Sequence, residues 1–180
     1  IFRNTGFSMA TTMNGLVRGA LLDAARNIIR RGSIHDLTIA GMAAEANYAR
    51  PTGYRYFSHP RDVVYAIAET TTTNLINRLD LETEDFAADY ARAAVKVFTS
   101  DPLVNRQVLL YAGVQSTEEA WLPGAIHPES VLGKQGIVSD SFTVPLTYFR
   151  GAMYSWAAGF FSDEQFAAET ERAISMGNTA

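Results

Sequence analysis

Apolar residues recur with a helical period along almost the whole chain. The clearest run consists of Leu21, Ala24, Ala25, Ile28 and Ile29. This run follows the spacing of one helix face and stops at Gly32, a residue that suits the end of a helix. No alternating strand pattern, internal repeat or low-complexity tract competes with the helical period. The sequence therefore predicts an all-α protein.

Two further short helices are predicted directly after the first one. A helix over about 39–46 has Thr38 near its start, and Asn47 follows it. Asparagine tolerates the left-handed backbone that a tight turn between helices requires. The next helix runs over about 49–56, with Pro51 in the first turn, where its missing N–H has no intrahelical partner. Helices joined in this way form a helix-turn-helix arrangement.

The remaining sequence predicts a longer helical region. We expect helices over 60–79, 82–98, 102–113, 139–160 and 163–176, one or two helical turns over 116–122, and a loop over 123–136. The loop is predicted because proline and glycine are concentrated there. Ser162, followed by Glu164 and Gln165, is a partial capping signal for the last helix.

Charge is distributed unevenly along the chain. Residues 1–62 carry eight arginines and four carboxylates, a net charge of +4, whereas the rest carries seven basic and fifteen acidic residues, a net charge of −8. A basic segment joined to an acidic one is typical of a polyanion-binding module attached to a part that avoids polyanions. Chance variation in a short segment is the alternative. We predict one domain over 1–58 and a second over 59–180.

The composition of the chain and its lack of reactive motifs exclude several classes of protein. Hydrophobic residues make up 47% of the chain, which is enough for a folded core and excludes global disorder. Cysteine is absent, which excludes a disulfide scaffold, a thiolate zinc site and a cysteine nucleophile. No apolar run approaches the roughly 18 residues of a membrane-spanning helix, and no leader opens the sequence, so we expect a soluble cytoplasmic protein. His35, His59 and His127 lie far apart, and we find no nucleotide-binding loop or nucleophile elbow. We therefore expect no metal, no cofactor and no enzymatic activity.

The third predicted helix carries side chains suited to nucleic acid. We expect its exposed residues to be Arg50, Thr52, Tyr54, Arg55 and Tyr56. Arginine can bond guanine edges through two hydrogen bonds, while threonine and tyrosine hydroxyls suit phosphates. An ordinary helical hairpin with a solvated arginine face is the alternative interpretation.

One set of residues extends from the first predicted helix to the end of the third. It begins at Leu21-Leu22-Asp23-Ala24-Ala25 and continues through Gly32 and Leu37-Thr38-Ile39. It ends on Ala44, Ala46, Arg50, Pro51, Thr52, Tyr54, Arg55, Tyr56 and Phe57. This set of residues resembles the DNA-binding domain of TetR-family transcriptional regulators. The resemblance implies a homodimeric regulator, usually a repressor, that leaves a palindromic operator when a small, largely apolar effector binds the carboxy-terminal domain.

The resemblance also implies which residues contact DNA. Recognition-helix positions that touch bases and nearby backbone correspond here to residues 50–52, and positions that contact phosphates correspond to Thr38, Tyr54 and Tyr56. The expected DNA-binding residues are Thr38, Arg50, Pro51, Thr52, Tyr54, Arg55, Tyr56 and Arg61. Arg61 or His59 is expected to replace a lysine that the family carries where Pro60 stands. Ala49 replaces the usual serine cap, and Gly53 replaces a larger apolar residue.

The aromatic residues of the acidic domain together suit a mostly apolar effector pocket, although each one taken alone suits an ordinary core better. The expected ligand-binding residues are Phe86, Tyr90, Phe98, Tyr111, Trp121, Phe142 and Phe149. The resemblance further implies that the last two helices pair with those of a second copy as a four-helix bundle. The expected dimer residues are Phe149, Met153, Trp156, Phe160, Phe166 and Ala173.

Two other functional classes remain open from the sequence. One is an all-α small-molecule-binding protein or enzyme that does not bind DNA. The other is a helical interaction module that uses the same dimer surface. Salt-dependent binding to duplex DNA distinguishes both from a transcriptional regulator.

Overall fold

The structure, a computed structural model, describes residues 6–79, 85–119 and 140–177. Every regular element in these ranges is helical, which confirms the predicted all-α class. The elements are α1 (Gly6–Arg31), a short 3-10 turn (Ile34–Asp36), α2 (Ile39–Glu45), α3 (Arg50–Tyr56), α4 (Pro60–Ile76), α5 (Phe86–Phe98), α6 (Pro102–Glu119), α7 (Asp140–Ala157) and α8 (Asp163–Gly177). In the described part of the chain, no helix is both long enough and apolar enough to cross a membrane.

Most helix bounds agree closely with the predicted ones, but two helices are longer. Helix α1 begins at Gly6, well before the apolar run that predicted it. Helix α6 continues without a break to Glu119, so residues 116–119 of the separate turns expected over 116–122 belong to it, and the rest lie outside the described residues. The predicted loop over 123–136 lies outside the described residues.

The chain divides into two compact units, residues 1–67 and 68–180. The division falls inside α4, which contributes residues to both units. The predicted domain boundary after residue 58 precedes this helix.

Unit 1 is built around the apolar face of α1. Leu21, Ala25 and Ile29 are buried there, as the helical period predicts, and they share the core with α2, Phe57 and the first part of α4. The other core residues of this unit are Val17, Leu22, Ala24, Leu37, Ile39, Met42, Ala43, Val63, Val64, Ala66 and Ile67. Burial of each larger side chain stabilises the fold by about 1.5–3 kcal/mol before entropy is counted. This core holds α2 against α1.

Unit 2 has an aromatic core formed by α5, α6, α7 and α8. Trp156 is fully buried and stacks on Phe166, with ring centroids 5.3 Å apart. Its indole Nε1 donates to the Asp163 carboxylate at 2.7 Å, so the buried polar edge of the ring has a partner. Ser162 caps α8 as predicted, because its hydroxyl accepts from the Gln165 N–H at 3.2 Å and the Gln165 amide oxygen accepts from the Ser162 N–H.

Candidate nucleic-acid interface

The turn between α2 and α3 depends on one residue with a left-handed backbone. Asn47 has a φ of 58°, which confirms the conformation predicted for it. The chain closes the turn through hydrogen bonds from the Asn47 N–H to the Ala44 carbonyl and from the Tyr48 N–H to the Ala43 carbonyl. These bonds satisfy the last carbonyls of α2 and direct the chain into α3.

Gly53 forms the contact between α3 and α2. A β-carbon at this position would lie 3.1 Å from each of three atoms: the Ala43 Cβ, the Ile39 Cγ2 and the Ile39 carbonyl oxygen. Gly53 is buried and therefore faces the inside of unit 1. Its small size lets α3 lie directly on α2, which gives a packing reason for the residue.

The caps of these two helices differ. The Thr38 hydroxyl accepts from the Gly41 N–H at 3.0 Å and caps α2. The hydroxyl proton of a threonine in this role remains able to donate to another acceptor. Ala49 makes no side-chain cap for α3, as the sequence predicts, and Pro51 lies in the first turn. The first N–H groups of α3 thus have no cap from their own N-terminal side chain.

The outer side of α3 is an exposed cationic and aromatic surface. Arg50, Pro51, Tyr54 and Arg55 are exposed, whereas Thr52 and Tyr56 are half-buried. The Arg50 guanidinium lies over the Tyr54 ring, 5.4 Å from its centroid. We call the set of residues 50, 51, 54 and 55 the α3 outer face. It presents two guanidinium groups on one short helix.

A hydrogen-bonded chain links this face to α1. The Tyr56 hydroxyl donates to the Asn14 Oδ1 at 3.0 Å and accepts from the Arg55 Nη2 at 3.1 Å. The Arg55 guanidinium also lies 5.1 Å from the Tyr56 ring centroid. Asn14 carries no signal in the sequence, because the apolar run that predicts α1 begins at Leu21 and does not reach the preceding turns.

The start of α4 is capped by a histidine. The His59 Nδ1 accepts from the Arg61 N–H at 3.2 Å, and the Asp62 carboxylate accepts from the His59 N–H at 2.8 Å. This reciprocal pair flanks Pro60, the residue that stands where the resemblance calls for a lysine. The Arg61 side chain is half-buried beside it.

An ion pair at the ends of α1 and α2 supports the geometry of unit 1. Both Arg31 terminal nitrogens donate to the Glu45 carboxylate, at 2.8 and 2.9 Å. These hydrogen bonds hold the pKa of Glu45 below its usual value and raise the pKa of Arg31. The pair connects two helix ends that are fourteen residues apart in sequence.

The described residues among the expected ligand-binding set are mostly buried in unit 2. Phe86, Tyr90 and Phe149 are buried in the core, with Tyr90 packed edge-on against Phe149. Burial raises the pKa of the Tyr90 phenol, because a phenolate there would be poorly solvated. Tyr111 is half-buried, and the side chains of Trp121 and Phe142 lie outside the described residues.

A narrow cleft in unit 2 includes one of the predicted ligand residues, Phe98. The cleft is lined by Ala68, Thr71, Thr72, Leu75, Val97, Phe98, Asn105, Val108 and Leu109. The free space inside it is about 10 Å³, which corresponds to roughly one water molecule. The buried Asn105 amide donates to the Val97 and Phe98 carbonyls, so it holds the end of α5 in place. The lining is apolar apart from this amide and two threonines.

The structure places most of the predicted dimer residues in the interior. Phe149, Met153, Trp156, Phe166 and Ala173 are buried within unit 2, because they form its core with α5. Their side chains have almost no surface left for a second copy. Phe160, in contrast, is 79% exposed.

A different side of α7 is exposed. Val144, Thr147, Gly151 and Tyr154 follow one another at helical spacing on this side, and none of them is charged. We call these four residues the α7 outer face. A β-carbon at Gly151 would meet nothing within 4 Å, so the surface is open at that point.

Comparisons with known proteins do not add to these observations. No protein-family model matches the chain, and a search of curated proteins finds no significant match. In the ranges that the structure describes, no three histidine or carboxylate side chains come together as a metal site would require. The chemistry of the α3 outer face is therefore the main guide to what this protein binds.

Proposed function

We propose that this chain is a homodimeric, ligand-responsive transcriptional regulator of the TetR type, in which α2 and α3 form a helix-turn-helix. The observation that carries the proposal is the α3 outer face. Its two arginines and Tyr54 point to solvent, while Gly53, on the other side of the helix, packs on α2. A recognition helix needs this combination of a close-packed inner side and a free outer side to enter the major groove.

The side chains of the proposed interface suit two kinds of DNA contact. Arg50 is assigned to base edges, because a guanidinium can donate two hydrogen bonds to guanine. The cation–π contact with Tyr54 limits the conformations of this exposed side chain before binding. Thr38, Tyr54, Arg55 and Arg61 are assigned to phosphates, which position the protein without reading sequence. The Tyr56 hydroxyl already donates its proton to the Asn14 Oδ1, so Tyr56 is assigned to the interface through its hydrogen bond from Arg55. Pro51 and Thr52 complete the set of expected contacts.

The charge of the chain supports the same proposal. Residues 1–62 have a net charge of +4, although the whole chain has a net charge of −4. Neutralised phosphates release counterions, so binding through this segment must weaken steeply as salt rises. The acidic remainder, by contrast, repels DNA.

Regulation is proposed to act through unit 2. Because the cleft holds only about one water molecule, an effector must widen it to bind. Such an effector favours an opened form of unit 2. The mostly apolar lining of the cleft suits a small, largely apolar molecule. Helix α4 contributes its second half to the cleft lining and its first half to unit 1. A displacement of the second half is therefore proposed to displace the first half of the same helix. A coupling of about 2–3 kcal/mol is enough to release most of the bound operator.

The proposed dimer forms through the α7 outer face rather than through the buried aromatic residues. Two such faces packed around a twofold axis bury uncharged side chains on both copies. Each dimer then presents two copies of α3 to half-sites about one helical turn of DNA apart. The proposal gives the chain a repressor's role and no catalytic one.

The experiment that tests the function is selection of duplexes from a random pool with the purified full chain. The selected duplex and a scrambled duplex of the same composition are then compared by fluorescence anisotropy at several salt concentrations. We expect enrichment of a palindromic sequence and a linear fall of log affinity with log salt. If no duplex binds at low salt, the chain is not a DNA-binding regulator and the small-molecule-binding alternative takes its place.

A further inference from the structure

The part of α1 that precedes the segment with family resemblance contributes a side chain to the α3 surface. The resemblance covers residues 21–57, whereas Asn14 lies before it on a helix that begins at Gly6. Asn14 is exposed, and its Oδ1 accepts the Tyr56 hydroxyl proton across 42 residues of sequence. Its partner Tyr56 is the last residue of α3.

We propose that Asn14 is a positioning residue of the DNA interface, acting on Arg55 through the Tyr56 hydroxyl. This inference rests on the proposed function, because it assigns Arg55 to a phosphate. Asn14 itself need not touch DNA. Its role is to fix the direction of the hydrogen bonds between three side chains.

The direction follows from the donors and acceptors that each group has. A phenol has one proton, and Tyr56 gives that proton to the Asn14 amide oxygen. The phenol oxygen is then left as an acceptor, and the Arg55 Nη2 fills it at 3.1 Å. If the acceptor at residue 14 is removed, the Tyr56 hydroxyl proton is free to rotate toward the Arg55 guanidinium. A guanidinium can only donate hydrogen bonds, so two donors then face each other.

The consequence concerns the freedom of Arg55. With one nitrogen bonded to the phenol and the guanidinium lying against the Tyr56 ring, Arg55 is held in one arrangement. Its other N–H groups remain available, because a guanidinium has five in a fixed geometry. A side chain ordered before binding loses less entropy when it meets a phosphate. Asn14 therefore improves affinity without improving sequence discrimination.

The test is a double-mutant cycle on DNA binding by the full chain. Asn14→Ala, Tyr56→Phe and the double variant are compared with the wild type on the selected duplex and on a scrambled one. We expect Asn14→Ala to weaken binding to both duplexes alike by about fivefold, the order expected for one lost hydrogen bond. We expect the double variant to bind no more weakly than Tyr56→Phe, because both changes break the same chain.

Two further measurements separate positioning from a structural role. The slope of log affinity against log salt should become shallower in Asn14→Ala, since the phosphate contact of Arg55 is weakened. Asn14→Gln keeps an amide oxygen on an exposed side chain and should restore most of the affinity. Alanine has a higher helix propensity than asparagine, so Asn14→Ala should fold, and thermal unfolding followed by circular dichroism verifies this.

A matched control lies on the same helix. Asn27 is also exposed and accepts from the Arg30 Nη1 at 2.7 Å, and Asn27→Ala should leave binding unchanged. If the wild type binds duplex DNA but Asn14→Ala binds equally well, or if the two losses multiply in the double variant, the inference fails and the proposed function stands. If the wild type binds no duplex, both fail.

Discussion

Gly53 of α3 lies so close to Ile39 of α2 that a β-carbon would be 3.1 Å from both the Ile39 carbonyl oxygen and its Cγ2. A contact this short with backbone cannot be relieved by rotating a side chain. The distance between the two helices therefore depends on the absence of a side chain at residue 53. In the proposed function, this distance also sets how far the α3 outer face projects from unit 1.

The first prediction compares alanine at two helical glycines. Gly19→Ala on α1 should stabilise the protein by about 0.5–1 kcal/mol, because alanine has the better helix propensity and nothing lies within 4 Å of the new methyl group. Gly53→Ala has the same propensity gain but must push α3 away from α2, so it should be neutral or destabilising. Urea unfolding measures both free energies, and equal stabilisation by the two variants would contradict the close packing.

Local backbone features of this fold were predictable where a residue type has one strong preference. The left-handed backbone of Asn47 and the cap formed by Ser162 follow from the chemistry of their own side chains and neighbours. The uncapped start of α3 follows in the same way from Ala49. The bounds of most helices follow from the period of apolar residues, because those residues have to face a core.

Features that depend on distant parts of the chain were not predictable. The hydrogen bond between Asn14 and Tyr56 joins residues that no local pattern relates. Likewise, an aromatic residue at helical spacing fits a core, a pocket or a dimer surface equally well. Only packing decides between these, and it places Phe149 and Trp156 inside unit 2. The exposed α7 outer face is made of uncharged residues, and from the sequence alone such residues fit a core or a surface equally well.

The second prediction tests base recognition. Arg50→Ala should weaken binding to the selected duplex by about 1–3 kcal/mol and reduce discrimination at one position of each half-site. Arg30→Ala removes the same charge from an exposed arginine of α1, so it should cause a smaller loss that is equal on all sequences. Anisotropy titrations on the selected and scrambled duplexes measure both effects. An equal loss on every sequence for Arg50→Ala would assign this residue to the DNA backbone instead.

The third prediction concerns the pH dependence of the ion pair between Arg31 and Glu45. The pKa of Glu45 is lower in the folded protein than in the unfolded chain, so the pair stabilises the fold above the unfolded pKa of about 4.3. That stabilisation is lost as the pH falls through the lower folded value. Glu45→Gln should therefore be less stable than the wild type at pH 7 and equally stable at acidic pH.

Denaturant unfolding at a series of pH values checks this prediction. The pair is exposed to solvent, so the difference at pH 7 should shrink in high salt. In an Arg31→Gln background, Glu45→Gln should have no pH-dependent effect, because the partner is already absent. A difference that persists unchanged at acidic pH would show that Glu45 stabilises the fold in some other way.

The fourth prediction tests the proposed dimer surface. Gly151→Glu places a charge in the middle of the α7 outer face, where a second copy would bury it without a partner. The folded subunit has space for this side chain, because nothing lies within 4 Å of the new β-carbon. We therefore expect a helical, folded monomer in sedimentation and circular dichroism experiments. Lys96→Glu, also a change to glutamate at an exposed site of unit 2, should remain dimeric, and a Gly151→Glu protein that sediments as the wild type does would place the interface elsewhere.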